Sequence, residues 1–331
     1  MNRRIVFLCP FFKGKFVPYF QLFLNSCRDN PKFDWMLFTD NEDVYDYPSN
    51  VHKIKMTFDE VKNLFQSKFN FPICLDKPYK LCDYKPSYGY VFSDYIKEYD
   101  FWGHNDCDVI YGNLDYFITD EMLDSYDKLF IMGHFTLYRN TMELSSLFMK
   151  DIHGRSLYRE IFTSKQNMNF DEDWKGRLNI NDIFREYGYR VYENKDNRSM
   201  IADIYDKSSC FRVNYWDRGK QTDILENKKN AIFVHHNGKL LRFEKIGRKL
   251  NVTEYMYIHL IHRKMHYDNS VLNFKSYMII PDTFIPVPEN MSIEIFDSLQ
   301  KKQIIRSRIN YLKLRWKNFK TKINKKFSIE K

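Results

Sequence analysis

Short, largely apolar runs recur along this chain, and segments with helical spacing separate most of them. Ile5-Val6-Phe7-Leu8-Cys9, Phe33-Asp34-Trp35-Met36-Leu37-Phe38, Phe101–Asp106, Leu129-Phe130-Ile131-Met132 and Ile232-Phe233-Val234-His235 read as buried strands, and Val51–Ile54 as a weaker one. Between them Val17 to Asn25 aligns Phe20, Phe23 and Leu24 on one helical face. Phe58, Val61, Leu64 and Phe65 do the same behind Thr57, a capping residue. Lys85 to Ile96 and Ile180 to Tyr187 also read as helices, Tyr189–Tyr192 as a strand, and Tyr255–Ile261 as apolar and aromatic. Strands alternating with helices imply an α/β layer fold with a mostly parallel sheet flanked by helices. In such sheets ligands bind outside the carboxyl ends of the strands, where Asp40 and Asp106–Asp108 fall.

The strand Phe101–Asp106 carries the sharpest chemical signal. It ends in two aspartates one residue apart, and an apolar segment and the Gly112-Asn113 turn follow. Acids set in an apolar stretch are costly unless paired or metal-bound. Asp106 and Asp108 are therefore candidate ligands of a hard divalent cation, Mn²⁺ or Mg²⁺, of the kind that rests on carboxylates and substrate phosphates. A second triplet, Asp171-Glu172-Asp173 beside Trp174, offers a general base for an acceptor hydroxyl, although a solvated acidic loop is the plainer reading of it. Val234-His235-His236-Asn237-Gly238-Lys239 has two readings. His235 or His236 completes the metal shell and Lys239 neutralises a diphosphate, or the segment is a hairpin turn at Asn237-Gly238. In Pro78-Tyr79-Lys80-Leu81-Cys82-Asp83-Tyr84-Lys85-Pro86, the residues Lys80, Asp83 and Lys85 either grip phosphate or ribose or form a helix entry. No Gly-rich dinucleotide fingerprint, P-loop or Gly-x-Ser-x-Gly elbow occurs, which argues against dehydrogenases, P-loop kinases and α/β hydrolases.

Composition bears on compartment and partners. The chain has 331 residues, 44% of them hydrophobic and 18% aromatic, enough for a sizeable core. Its six cysteines form no Cys-x-x-Cys pair and most lie in apolar runs, as expected in a reducing cytosol. The apolar run at the N-terminus is too short for a signal peptide. The net charge of +9 is concentrated at one end. Residues 301–331 carry 12 Lys/Arg and one acid, and the rest of the chain is close to neutral. Ile304, Ile305, Ile309, Leu312, Trp316, Phe319, Ile323 and Phe327 recur there mainly at three- and four-residue steps, predicting a basic amphipathic helix over 297–331 behind one domain over 1–296. An anionic membrane surface suits that pattern. A nucleic-acid arm is the rival and a partner helix the plainer option; Trp316 and Phe319 favour the membrane.

Five segments together resemble the bacterial glycosyltransferases of capsule, lipopolysaccharide and exopolysaccharide synthesis, within the GT-A superfamily and a family often described only as a domain of unknown function. They are Cys9-Pro10-Phe11-Phe12-Lys13-Gly14-Lys15, Phe38-Thr39-Asp40, Pro78 to Pro86, Phe101 to Asp108, and Gly133-His134-Phe135. The resemblance runs from about Ile5 to Pro281 and leaves the tail outside. It implies a GT-A-like Rossmann-type fold, a nucleotide-sugar donor, a metal on Asp106 and Asp108, the loop around Phe11 and the Thr39-Asp40 end near the nucleotide, and Asp171-Glu172-Asp173 near a glycan acceptor. Related chains often carry Tyr where His104 stands, so His104 is given no catalytic part. A lipid-linked acceptor would give the basic tail a reason to hold the enzyme on the cytoplasmic face of the plasma membrane. The competing expectations are a non-catalytic membrane- or nucleic-acid-binding protein and a metal-dependent nucleotidyltransferase.

Overall fold

The computed structural model of the protein describes residues 3–12, 14–173, 176–193, 201–203, 212–217, 220–225, 231–261, 265–280 and 282–329. Lys13, Trp174, Cys210 and Pro281, which figured in the reading of the sequence, lie outside the described residues, as do the side chains of Ile323 and Phe327. The fold is mixed α/β, with a largely parallel central sheet flanked by helices. It divides into two compact units, residues Met1–Cys107 with Asp115–Lys195, and Asp108–Leu114 with Asp196–Lys331.

The first unit contains β1 (Ile5–Pro10), β2 (Phe33–Thr39), β3 (Val51–Lys55) and β4 (Phe101–Asn105). The short β5 (Val109–Tyr111) belongs to the second unit. The first unit continues with β6 (Lys128–Met132), β7 (Phe135–Arg139) and β8 (Val191–Tyr192). Its sheet has the order β3-β2-β1-β4-β7-β6-β8. β1 pairs in parallel with both β2 and β4, with Phe7 opposite Trp35 and Gly103. β7 then runs antiparallel to β4 and β6. The apolar runs are buried on both faces, as strands covered by helices must be. The helix Phe20–Arg28 buries Phe20, Phe23 and Leu24, the face its spacing predicts. The helix Phe58–Ser67 starts at a capping box: the Thr57 hydroxyl accepts from Glu60 N at 3.2 Å, and Glu60 Oε2 accepts from Thr57 N at 2.7 Å.

The predicted helix over Lys85 to Ile96 is broken into the short turns Lys85–Ser87, Tyr88–Val91 and Ser93–Tyr95. Pro86 supplies no backbone donor. Gly89 packs so closely on β4 that a Cβ there would stand 2.1 Å from the Trp102 ring. The Trp102 ring in turn stacks on Tyr138 at 4.3 Å.

The second unit carries β9 (Ile201–Asp203), β10 (Arg212–Asp217), β11 (Lys220–Leu225), β12 (Ala231–His236), β13 (Lys239–Ile246), β14 (Lys249–Tyr255), β15 (Tyr257–His259), β16 (Ser276–Ile280) and β17 (Thr283–Pro286). They form two five-stranded sheets, β11-β10-β9-β15-β5 and β14-β13-β12-β16-β17. β12 and β13 are joined at Asn237 and Gly238, with φ of 47° and 74°, the positive pair a tight two-residue hairpin requires. The C-terminal helix spans Ile293–Ile329. Its first turns belong to the core of this unit: Phe296 and Leu299 are buried with Ile232, Val234, Met278 and Ile280. Lys245 pairs with Asp297 at 2.7 Å, and Arg306 with Asp282 at 3.0 Å.

Candidate functional site

In the first unit the strand order reverses direction between β1 and β4, and the carboxyl ends of these two strands form the crevice where doubly wound sheets bind ligands. Two residues link the strand ends. The Cys9 thiol donates to Asn105 Oδ1 at 2.8 Å, and Asn105 Nδ2 donates to the Asp106 carbonyl at 2.9 Å. Beyond β1, Phe11 N donates to Phe38 O at 2.8 Å, and the Phe11 ring stacks on Phe16 at 4.3 Å, which stacks on Phe20 at 3.8 Å. At the end of β2, the buried Thr39 hydroxyl accepts from Asn41 N at 3.1 Å, while Asp40 is exposed. Phe11, Thr39, Asp40 and Asp106 thus leave adjacent parallel strands at the same end of the sheet.

Lys85 is the electrostatic centre of this unit. Its buried ammonium donates to Asp106 Oδ1 at 2.8 Å and to the Gly133 carbonyl at 2.7 Å, and lies 3.4 Å from Asp171 Oδ2. Burial alone would lower its pKa; the carboxylates of Asp106 and Asp171 outweigh burial and hold it well above the usual lysine value. Asp171 is buried, and burial raises its carboxyl to about 7 against the pull of Lys85. Its neighbours differ from it. Glu172 accepts from Gly133 N at 3.3 Å and from Asn169 Nδ2 at 3.2 Å. Asp173 accepts from Asn179 and Asn181 at 2.9 and 3.2 Å and pairs with Arg185 at 3.2 Å. Gly133 is needed for this approach, because a Cβ there would meet Asp171 Oδ2 at 2.5 Å.

Lys80 and Asp83 are employed elsewhere. The buried Lys80 ammonium pairs with Asp83 at 2.7 Å and donates to Gln166 O, and Asp83 accepts from Met168 N at 3.0 Å. The pair anchors the 166–170 loop. Of the three charged residues in the Pro78–Pro86 segment, Lys85 is the one paired with Asp106.

In the second unit, β5 and β15 run antiparallel with Val109 opposite His259, and Leu260 N donates to Asp108 O at 2.9 Å. That register puts the His259 imidazole beside the carboxylate preceding β5, with Nε2 3.2 Å from Asp108 Oδ1. Both side chains are buried. Among the described residues, one group of carboxylate and imidazole donors could hold a metal ion: Asp106, Asp108 and His259. Two oxygen donors and one nitrogen donor suit Mn²⁺, with phosphate and water oxygens as further ligands.

The imidazole beside Asp108 is thus that of His259, not His235 or His236. His235 is buried and stacked on Tyr277 at 5.0 Å, and burial lowers its pKa to about 4. His236 Nδ1 is hydrogen-bonded to the Ser276 hydroxyl, and Lys239 lies 3.7 Å from Glu254 Oε2. The segment forms the hairpin, and β-pairing accounts for it. His259 was overlooked in the sequence. Its only signal there is an ionisable side chain inside the apolar run Tyr255–Ile261, the same signal that marks Asp106 and Asp108.

No match to the sequence is found among curated proteins. A family model does match, over residues 7–288, which covers the carboxyl ends of both strands of the crevice, Lys85, the acidic triplet, Asp106, Asp108 and His259. The chain belongs to that family, a family of unknown function designated DUF6625.

Proposed function

We propose that the protein is a metal-dependent glycosyltransferase of GT-A type, moving a sugar from a nucleotide diphosphate donor to a hydroxyl of a glycan acceptor. The observation that carries this reading is the donor set. Asp108 and His259 are held together by the pairing of β5 with β15, and Asp106 stands two residues earlier, so the backbone itself delivers a second carboxylate. Asp106 also leaves β4 at the strand-order reversal, where nucleotides bind in doubly wound sheets.

Asp106, Asp108 and His259 would hold the cation. When bound, it would supply neutralising charge to the diphosphate and stabilise the leaving group. The chain's own residues define the rest. Lys85 fixes the Asp106 carboxylate through Oδ1. The Phe11 ring, supported by Phe16, offers a face for the base. The acceptor oxygen bonds to the anomeric carbon as the bond from that carbon to the diphosphate oxygen breaks. If configuration inverts, the acceptor proton passes to Glu172, whose carboxylate is held on Gly133 N and Asn169. If configuration is retained, the proton leaves on the diphosphate.

The test is a screen of nucleotide sugars with the purified protein and Mn²⁺, reading release of nucleoside diphosphate, with Mn²⁺ binding by calorimetry in parallel. Asp108→Asn and His259→Ala should each weaken Mn²⁺ binding by at least about tenfold and abolish turnover in protein that still unfolds cooperatively, at a lower melting temperature because each change breaks a buried pair. Release of pyrophosphate in place of nucleoside diphosphate would replace glycosyl transfer by nucleotidyl transfer. Unchanged Mn²⁺ affinity in both variants would remove the metal site.

A further inference from the structure

Among its described residues, the C-terminal helix presents one face that is seated on the fold and a second that is exposed. Phe296 and Leu299 are buried against the sheet of the second unit, and Gln303 Nε2 donates to Ala231 O at 3.3 Å. At about 100° per residue, these three positions share roughly 60° of the helix surface. Ile305, Ile309, Leu312, Trp316 and Phe319 share another arc of about 80°, centred about 150° from the first. All five are exposed, Leu312 at 63%, Trp316 at 60% and Phe319 at 54%. The rings of Trp316 and Phe319 lie 5.9 Å apart with their planes 28° from parallel.

Cations line both edges of this stripe. Lys302, Lys313, Lys317 and Lys320 fall along one flank and Arg308 and Arg315 along the other, at the same angular spacing of about 100° per residue. Lys320 Nζ sits 5.4 Å from the Trp316 ring. This arrangement distinguishes two anionic partners. A helix that grips nucleic acid aims its cations at the phosphates from the middle of the contact face. Here the middle is apolar and aromatic, and the long basic side chains border it, able to reach the headgroup level while their stems lie along the stripe. No helix among the described residues is long and apolar enough to cross a membrane, so a bilayer would be met at its surface. The family match ends at residue 288, before this face begins.

We propose that residues 305–319 form a docking face for an anionic lipid bilayer, the helix lying in the interface with Trp316 and Phe319 inserted and the two rows of cations on the headgroups. The inference is independent of the reaction proposed above. The experiment is sedimentation of the full-length protein with phosphatidylcholine vesicles, with and without half of the lipid replaced by phosphatidylglycerol, at low and high salt. Duplex DNA and a structured RNA are titrated alongside. Binding to the anionic vesicles should exceed binding to neutral ones by at least about tenfold at low salt and fall steeply at high salt. Trp316→Ser with Phe319→Ser should lose at least about tenfold of that binding, with an unchanged thermal melt to show an intact fold. Lys313→Glu with Lys317→Glu should remove the preference for anionic lipid. Vesicle binding equal to wild type in the Trp316/Phe319 variant would overturn the proposal. So would tight binding to the nucleic acids with none to the vesicles.

Discussion

A buried lysine between two carboxylates commits all three residues to one another. Lys85 holds Asp106 and Asp171 by charge and Gly133 by a hydrogen bond, so its removal leaves two acids without their cation in a largely buried setting. Lys85→Met should cost about 3 kcal/mol, the scale for breaking a buried pair, measured by urea unfolding at neutral pH. His235 makes a separate prediction about acid. Its imidazole titrates near 4 in the fold against an ordinary value of 6.5, because burial disfavours the charged form. Between those pH values the unfolded chain takes up a proton that the folded chain refuses, so stability is lost as pH falls through this window. The loss from this group amounts to about 3 kcal/mol by pH 4. His235→Phe keeps a ring against Tyr277 and should flatten the acid limb of a plot of unfolding free energy against pH, relative to wild type. An equal slope in the two proteins would show that His235 carries no such linkage. Asp106 and Asp108 were legible in the sequence because acids inside an apolar run advertise their cost. His259 sent the same signal but was not read. Its significance depends on the pairing of residues 109–111 with 257–259, and no local pattern announces a contact across so much chain.

At the scale of the element, periodicity revealed most strands and the amphipathic helices, because each pattern reports which side of a segment is buried. It failed where packing overrode it. Lys85 to Ile96 has helical spacing, yet Pro86 and the close approach of Gly89 to Trp102 break it into turns. The change in charge near residue 297 suggested a boundary there, but Phe296, Leu299 and Gln303 are part of the second unit's core. Truncation after Asp297 should therefore destabilise the protein by about 2–4 kcal/mol, since it removes the buried Leu299 and the contact of Gln303 with Ala231. Truncation after Arg308 keeps these contacts and the pairing of Arg306 with Asp282, and should melt within a degree or two of full length. Equal melting temperatures for the two truncations would show that the first turns of the helix do not brace the sheet.

The whole molecule is not two successive domains, and this was the feature least visible in the sequence. Composition changes little along the first 300 residues, and the exchange between units occurs in the seven residues Asp108–Leu114, too short a stretch to alter any average. Those seven residues supply β5, the strand that closes one edge of its sheet by pairing with β15. A fragment consisting of residues 196–331 alone keeps β15 but loses β5. Its β15 edge would then present unpaired N–H and C=O groups on a strand whose residues are buried in the intact protein. It would also lose Asp108, the partner of the buried His259 imidazole. The fragment should therefore associate or precipitate at concentrations where the full chain stays dispersed, as read by size-exclusion chromatography with light scattering. Joining residues 106–114 to its N-terminus through a flexible linker should restore part of the monomeric fraction, because it returns both the edge strand and the carboxylate. A fragment that is monomeric and cooperatively folded without them would show that β5 is dispensable, and that the second unit is built from residues 196–331 alone.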